Sequence, residues 1–125
     1  MSDHICLIFL TADSSNLEEA QAALTSCGLT VEGDRHELVC FRDNSPEFTI
    51  HLNSEVEVQT EALEIAEENP NYRSRLKNCD ARFEIYFEEL SEVLNEIDTL
   101  IDIQITLQDI AKGIVFTSWN GILEL

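Results

Sequence analysis

The spacing of apolar positions changes along this chain, and each change marks an element. HICLIFLTA (4–12) is continuously apolar, the pattern of a strand buried on both faces. Asp13–Asn16 interrupts it, and Ser15 followed by Glu18 makes a capping box that opens a helix. Leu17, Ala20, Leu24 and Cys27 then recur at helical spacing, and Gly28 suits the C′ position that ends the helix. LTVEGDRHELVCFR (29–42) reads as extended, broken by a turn at Gly33-Asp34, and DNSP (43–46) is a second turn. EFTIHLN (47–53) alternates with period two, placing Phe48, Ile50 and Leu52 inward and Glu47, Thr49 and His51 outward.

EVEVQTEALEIAEENP (55–70) returns to a helical period, with Val58, Ala62, Ile65 and Ala66 as its packing face. Asn69-Pro70 ends it, and the basic segment NYRSRLKNC follows, before a further strand at ARFEIYFE (81–88). Leu90, Val93, Leu94, Ile97, Leu100 and Ile101 then share one helical face. IDIQITLQ (101–108) also alternates with period two, but Ile103, Leu107, Ile110 and Ala111 keep the helical spacing and Lys112-Gly113 resembles a helix end. One long or kinked helix from 89 to about 112 is expected, then a strand at GIVFTSW (113–119), a turn at Asn120-Gly121 and the apolar tail ILEL. The first six elements match a ferredoxin-like split βαβ, with the long helix and a C-terminal strand appended, so the fold class is α+β and residues 1–125 form one domain. The expected core holds Ile5, Leu7, Phe9, Leu24, Phe48, Ile50, Phe83, Ile85, Phe87, Leu94 and Ile97.

Composition narrows the function classes. An apolar fraction of 44% suits an ordinary folded chain, and no apolar run reaches membrane-spanning length. Met1–His4 has neither the basic start nor the long apolar stretch of a secretory signal, which points to the cytoplasm. Cys6, Cys27, Cys40 and Cys79 lie at wide, irregular gaps with no CxxC pair, as expected of free, mostly buried thiols in a reducing compartment and not of a zinc site. The glycines are too scattered for a phosphate-cradling loop, and no GxSxG or DxDxDG motif is present. No catalytic, cofactor or metal constellation emerges, and a binding role is expected in place of an enzymatic one. His51 reads as a solvated residue on the polar side of its strand, and Trp119 as a plug at the edge of the core.

Charge is the outlier. Twenty-five acids against seven bases give a net charge of −18, a field that repels nucleic acid and anionic membranes and attracts basic proteins. Glu57, Glu61, Glu64 and Glu68 fall at i, i+4, i+7 and i+11, a narrow stripe beside the packing face of the second helix, with no lysine or arginine in the segment. Glu88, Glu92 and Glu96, with Glu89, build a second ridge, and no base occurs between Phe83 and Ala111. Like charges at i,i+4 cost a few tenths of a kcal/mol each; a partner surface of opposite sign gives that cost a purpose. Reversal of the stripe to lysine is expected to leave the fold intact, because these positions face solvent. Arg73, Arg75, Lys77 and Arg82 hold four of the seven bases, and this island is expected to neutralise a nearby acidic helix.

With its strong acidity, its missing catalytic constellation and the ending GIVFTSWNGIL after a long helix, the chain resembles the small immunity proteins that bacteria keep against polymorphic or secreted toxins. The resemblance implies a cytoplasmic inhibitor that plugs the basic active site of a cognate toxin, often a nuclease. Two other readings share parts of the pattern: a phage-type anti-defence protein that mimics DNA, and a ferredoxin-like regulatory domain that binds a small ligand.

Overall fold

The computed structural model describes residues 5–11, 14–34, 36–43, 45–119 and 121–123. The side chain of Ile5 lies outside the description, and so does Asn120 of the expected turn. The class is α+β. In chain order the elements are β1 (Ile5–Leu10), α1 (Leu17–Ser26), β2 (Thr30–Gly33), β3 (Leu38–Phe41), β4 (Phe48–Asn53), α2 (Val56–Glu68), a 3-10 turn at Pro70–Tyr72, α3 (Arg73–Leu76), β5 (Ala81–Tyr86), α4 (Leu90–Asn95), α5 (Ile97–Ala111), β6 (Ile114–Thr117) and β7 (Gly121–Leu123). The strands form one antiparallel sheet in the order β2-β3-β4-β5-β1-β6-β7.

That order differs from the ferredoxin-like pairing expected of the first six elements. Asn53 at the end of β4 pairs with Arg82 at the start of β5, so the connection leaves and returns at the same end of the sheet. The physical reason is the basic segment: α2 is about 20 Å long, and the 3-10 turn and α3 pack back along it, making the connection an excursion instead of a crossover. A split βαβ does form later in the chain. β5 and β6 are both antiparallel to β1, which lies between them, and α4 with α5 makes the crossover.

Both sheet faces carry apolar clusters. On the first, Cys6, Ile8 and Leu10 of β1, Phe48 and Ile50 of β4, and Ala81, Phe83 and Ile85 of β5 pack under α1, α4 and α5. On the second, Leu7 and Phe9 of β1 and Ile114 of β6 pack under Val58, Ala62 and Ala66 of α2 and Leu76 of α3. The alternation of β1 thus feeds two layers, as a strand buried on both sides must.

Local chemistry explains the element ends. Asn16, extended at φ −150°, accepts from the Glu19 amide at 2.9 Å and caps α1. The cap therefore sits one residue after the expected Ser15, whose Oγ is buried with no hydrogen-bond partner among the described residues. Gly28 at φ +90° turns the chain out of α1, with Leu29 N–H returning to the Leu24 carbonyl at 3.2 Å and Gly28 N–H to Thr25 at 3.0 Å, a Schellman arrangement. The Gly33-Asp34 turn joins β2 to β3 as a hairpin, Asp34 Oδ1 accepting from the His36 amide at 2.7 Å. ILEL is more than a tail: Ile122 and Leu123 belong to β7, a seventh strand.

The expected helix over 89–112 is present but interrupted. Glu96, at φ −122° and ψ 46°, separates α4 from α5, and 101–108 is helical throughout. The interruption rotates the buried face to Thr99, Leu100, Ile103, Gln104, Leu107 and Ala111. Leu94, expected in the core, is 49% exposed, and Ile97 is half-buried.

The cysteines are free, with Cys6, Cys40 and Cys79 buried and Cys27 exposed. Burial pushes the Cys6 and Cys40 thiols up to about 12 and that of Cys79 up to about 11. Alkylation of the folded protein near neutral pH should modify one thiol, at Cys27, and alkylation in denaturant all four, read by intact mass.

Candidate functional site

Strand register places the polar side chains of the second face in rows. Glu37 and His51, beside the paired Leu38 and Ile50, continue to Glu84 and Leu7, and Asn53 continues to Arg82 and Phe9. Arg82 and Glu84 belong to a central strand and are 7% and 6% exposed, an expensive place for charge unless it is paired and hydrogen-bonded. Arg82 Nε donates to Glu84 Oε2 at 2.7 Å, and its other arm pairs with Glu61 on α2. Asn53 Nδ2 donates to the same Glu84 oxygen at 3.0 Å and to Glu57 at 3.3 Å. Tyr86 Oη donates to Glu84 Oε1 at 2.8 Å. The His51 ring lies 5.3 Å from that of Tyr86, and its Nε2 is 2.7 Å from Glu37 Oε1.

The electrostatics follow from these contacts. Burial pushes the Glu84 carboxyl up, but hydrogen bonds from Asn53, Tyr86 and Arg82 and the charge of Arg82 outweigh it, so its pKa lies below the usual carboxylate range. Burial lowers Arg82, and its hydrogen bonds to Glu61 and Glu84 more than reverse that. Burial and Glu84 push Tyr86 up to about 12. The network holds a buried carboxylate ionised and fixes the side chains around it. Among the described residues no group of three or more His, Cys, Asp or Glu could hold a metal.

The acidic stripe of α2 divides. Glu61 is half-buried and pairs with Arg82, whereas Glu57, Glu64 and Glu68 are exposed, Glu57 accepting from Asn53. The basic island divides as well: its described ion pairs are those of Arg82, whereas Arg75 donates to the Lys112 and Gly113 carbonyls, both at 3.5 Å. Glu88, Glu89, Glu92 and Glu96 are all exposed. The first three line an open groove of about 410 Å³ with Pro46, Glu47, Thr49, Tyr86 and Phe87; Glu96 lies apart, at the helix interruption. Trp119 packs edge-on against Phe87 at 5.7 Å, and Phe87 against Phe48 at 6.0 Å, so its ring extends the core.

Reasoning from the sequence placed Arg82 in the island expected to neutralise an acidic helix, which its pairing with Glu61 does, and missed Glu84, Tyr86 and Asn53. A signal was present: opposite charges two apart in a strand share a face, and in RFEIY the flanking Phe83 and Ile85 claim the other one. Comparison with protein-family models, curated proteins and solved structures finds no match.

Proposed function

We propose that this protein binds and neutralises a basic partner protein, acting in the cytoplasm as an immunity-type inhibitor of a toxin enzyme such as a nuclease. The observation that carries the reading is the groove beside Tyr86: among the described residues no cation stands within ion-pair distance of Glu47, Glu88, Glu89 or Glu92. Four carboxylates around one concavity repel one another, and a basic surface relieves the repulsion on docking. Glu64 and Glu68 are exposed on α2 but do not line this groove. No helix among the described residues is long and apolar enough to cross a membrane.

The test is titration of the basic protein encoded beside this one, with its enzymatic activity and the association rate as readouts. A saturable complex should form, inhibit the enzyme and associate more slowly as salt shortens the screening length toward about 8 Å. Glu88→Lys with Glu89→Lys and Glu92→Lys should leave the fold intact and slow association by about tenfold or more at low salt. An unchanged rate would make the groove a solvated surface. Reversal of the α2 stripe divides with the structure: Glu64→Lys and Glu68→Lys should be tolerated, whereas Glu61→Lys sets a second cation against Arg82 and should lower the denaturation midpoint.

A further inference from the structure

Among the described residues, the second face of the sheet is covered on one side only. Its apolar cluster draws on β1, β6, α2 and α3, with Cys79 and the half-buried Phe116 and Ile122, and takes no side chain from β2, β3 or β4. Val39 and Phe41 of β3, and Tyr86 of β5, are half-buried yet belong to neither core cluster. Register sets Val39 beside Thr49 and Thr49 beside Tyr86. The result is a shallow platform across three strands, about 10 Å wide at one strand spacing per step, the diameter of a single α-helix.

We propose that this platform, from Phe41 and Val39 across Thr49 to Tyr86, is where the basic partner docks, and that the partner presents a helix with an apolar stripe flanked by lysines or arginines. The inference rests on the proposed function and says which surface performs it. Acids rim both sides: Glu32 beside Val39 and Glu37 beside His51 on one, and Glu47, Glu88, Glu89 and Glu92 of the groove on the other. Tyr86 is a fixed anchor, since its hydroxyl is tied to the buried Glu84 and its ring lies against His51; a side chain already ordered loses little entropy on binding. Charge decides among occupants. A second copy brings another −18, and nucleic acid brings phosphates, so both are repelled where a cationic helix is attracted.

The experiment uses a designed amphipathic peptide with a leucine stripe flanked by lysines, and a counterpart with every lysine replaced by glutamine, titrated into the isotopically labelled protein. The lysine peptide should produce saturable amide shifts at Val39, Phe41, Thr49, Tyr86, Glu88 and Glu89, and the glutamine peptide should not. Val39→Lys with Thr49→Lys lies outside both core clusters and should fold while weakening the lysine peptide by about tenfold or more. Glu64→Lys with Glu68→Lys should leave its affinity within about twofold. Shifts confined to Glu64 and Glu68, and lost in that second variant, would overturn the platform while leaving a basic partner in place. Equal binding of the two peptides, or of neither, would remove the basic-partner reading and the platform with it. Platform amides that move with the protein's own concentration, together with a dimer in sedimentation, would make a second copy the occupant and overturn the assignment.

Discussion

Arg82→Met should destabilise the protein by about 3–5 kcal/mol in urea denaturation, because it strands a buried charge. Arg82 and Glu84 are both nearly inaccessible and joined at 2.7 Å. Methionine fills much of the arginine stem but offers nothing to the carboxylate, and it removes the guanidinium that stands 5.8 Å from the centre of the Phe9 ring. The pH dependence identifies the cause. In the parent protein the Glu84 pKa is lowered, so its contribution is present above the unfolded carboxyl pKa and is lost as pH falls through the folded one. In the variant burial acts without an opposing cation, the carboxyl takes up its proton more readily, and that proton relieves the buried charge. The gap between parent and variant should therefore narrow as pH falls from about 7 toward about 4. Adding Glu84→Gln to Arg82→Met should recover part of the loss at neutral pH, since an uncharged amide can still meet Asn53 and Tyr86. A gap that is flat with pH, with no recovery in the double variant, would show that Arg82 acts through packing alone.

Elements whose apolar period was unambiguous were legible in the sequence. The continuous run at β1 marked a strand buried on both sides, and Val58, Ala62 and Ala66 marked the packing face of α2, because a period needs only local geometry to be read. Strand order was not legible. It turned on whether the segment after Pro70 continued α2 or folded back along it, and the return through the 3-10 turn and α3 brings β5 antiparallel to β4. The interruption at Glu96 was hidden for a similar reason: Leu90, Val93, Leu94 and Ile97 fit one helical face so well that no side chain signals the change of axis.

The candidate site was legible in its charge and illegible in its pairing. Counting acids located two negative ridges, and both are largely exposed. Counting could not show that Glu61 turns toward Arg82 or that Glu57 meets Asn53, because these partners come from strands whose register depends on the strand order. His51 looked like a solvated side chain; register sets it next to Glu37 and Tyr86. The platform, too, is visible only once α2 and α3 are known to pack on β1 and β6, in a cluster that takes no side chain from β3 or β4 among the described residues.

Phe83→Ala should cost about 3–5 kcal/mol, and Leu94→Ala no more than about 0.5 kcal/mol. The contrast tests the helix interruption, since an unbroken helix would bury Leu94 on the face it shares with Leu90 and Ile97. Phe83 is fully buried in β5, within the cluster under α1, α4 and α5. Its removal leaves a cavity that a sheet covered by helices on that face closes poorly, so the lost burial and the void add. Leu94 is 49% exposed on α4, and truncating it removes a side chain that water already reaches. Leu100, 1% exposed, supplies the internal control: Leu100→Ala should cost about 2–5 kcal/mol because α5 packs it in the core cluster. Comparable losses for Leu94→Ala and Leu100→Ala would mean that α4 and α5 are one continuous helix, with the α4 end turned inward and the acidic wall of the groove at Glu88, Glu89 and Glu92 displaced with it. A neutral Leu94→Ala beside a costly Leu100→Ala would place the change of axis at Glu96, with Glu88, Glu89 and Glu92 lining the groove beside Tyr86.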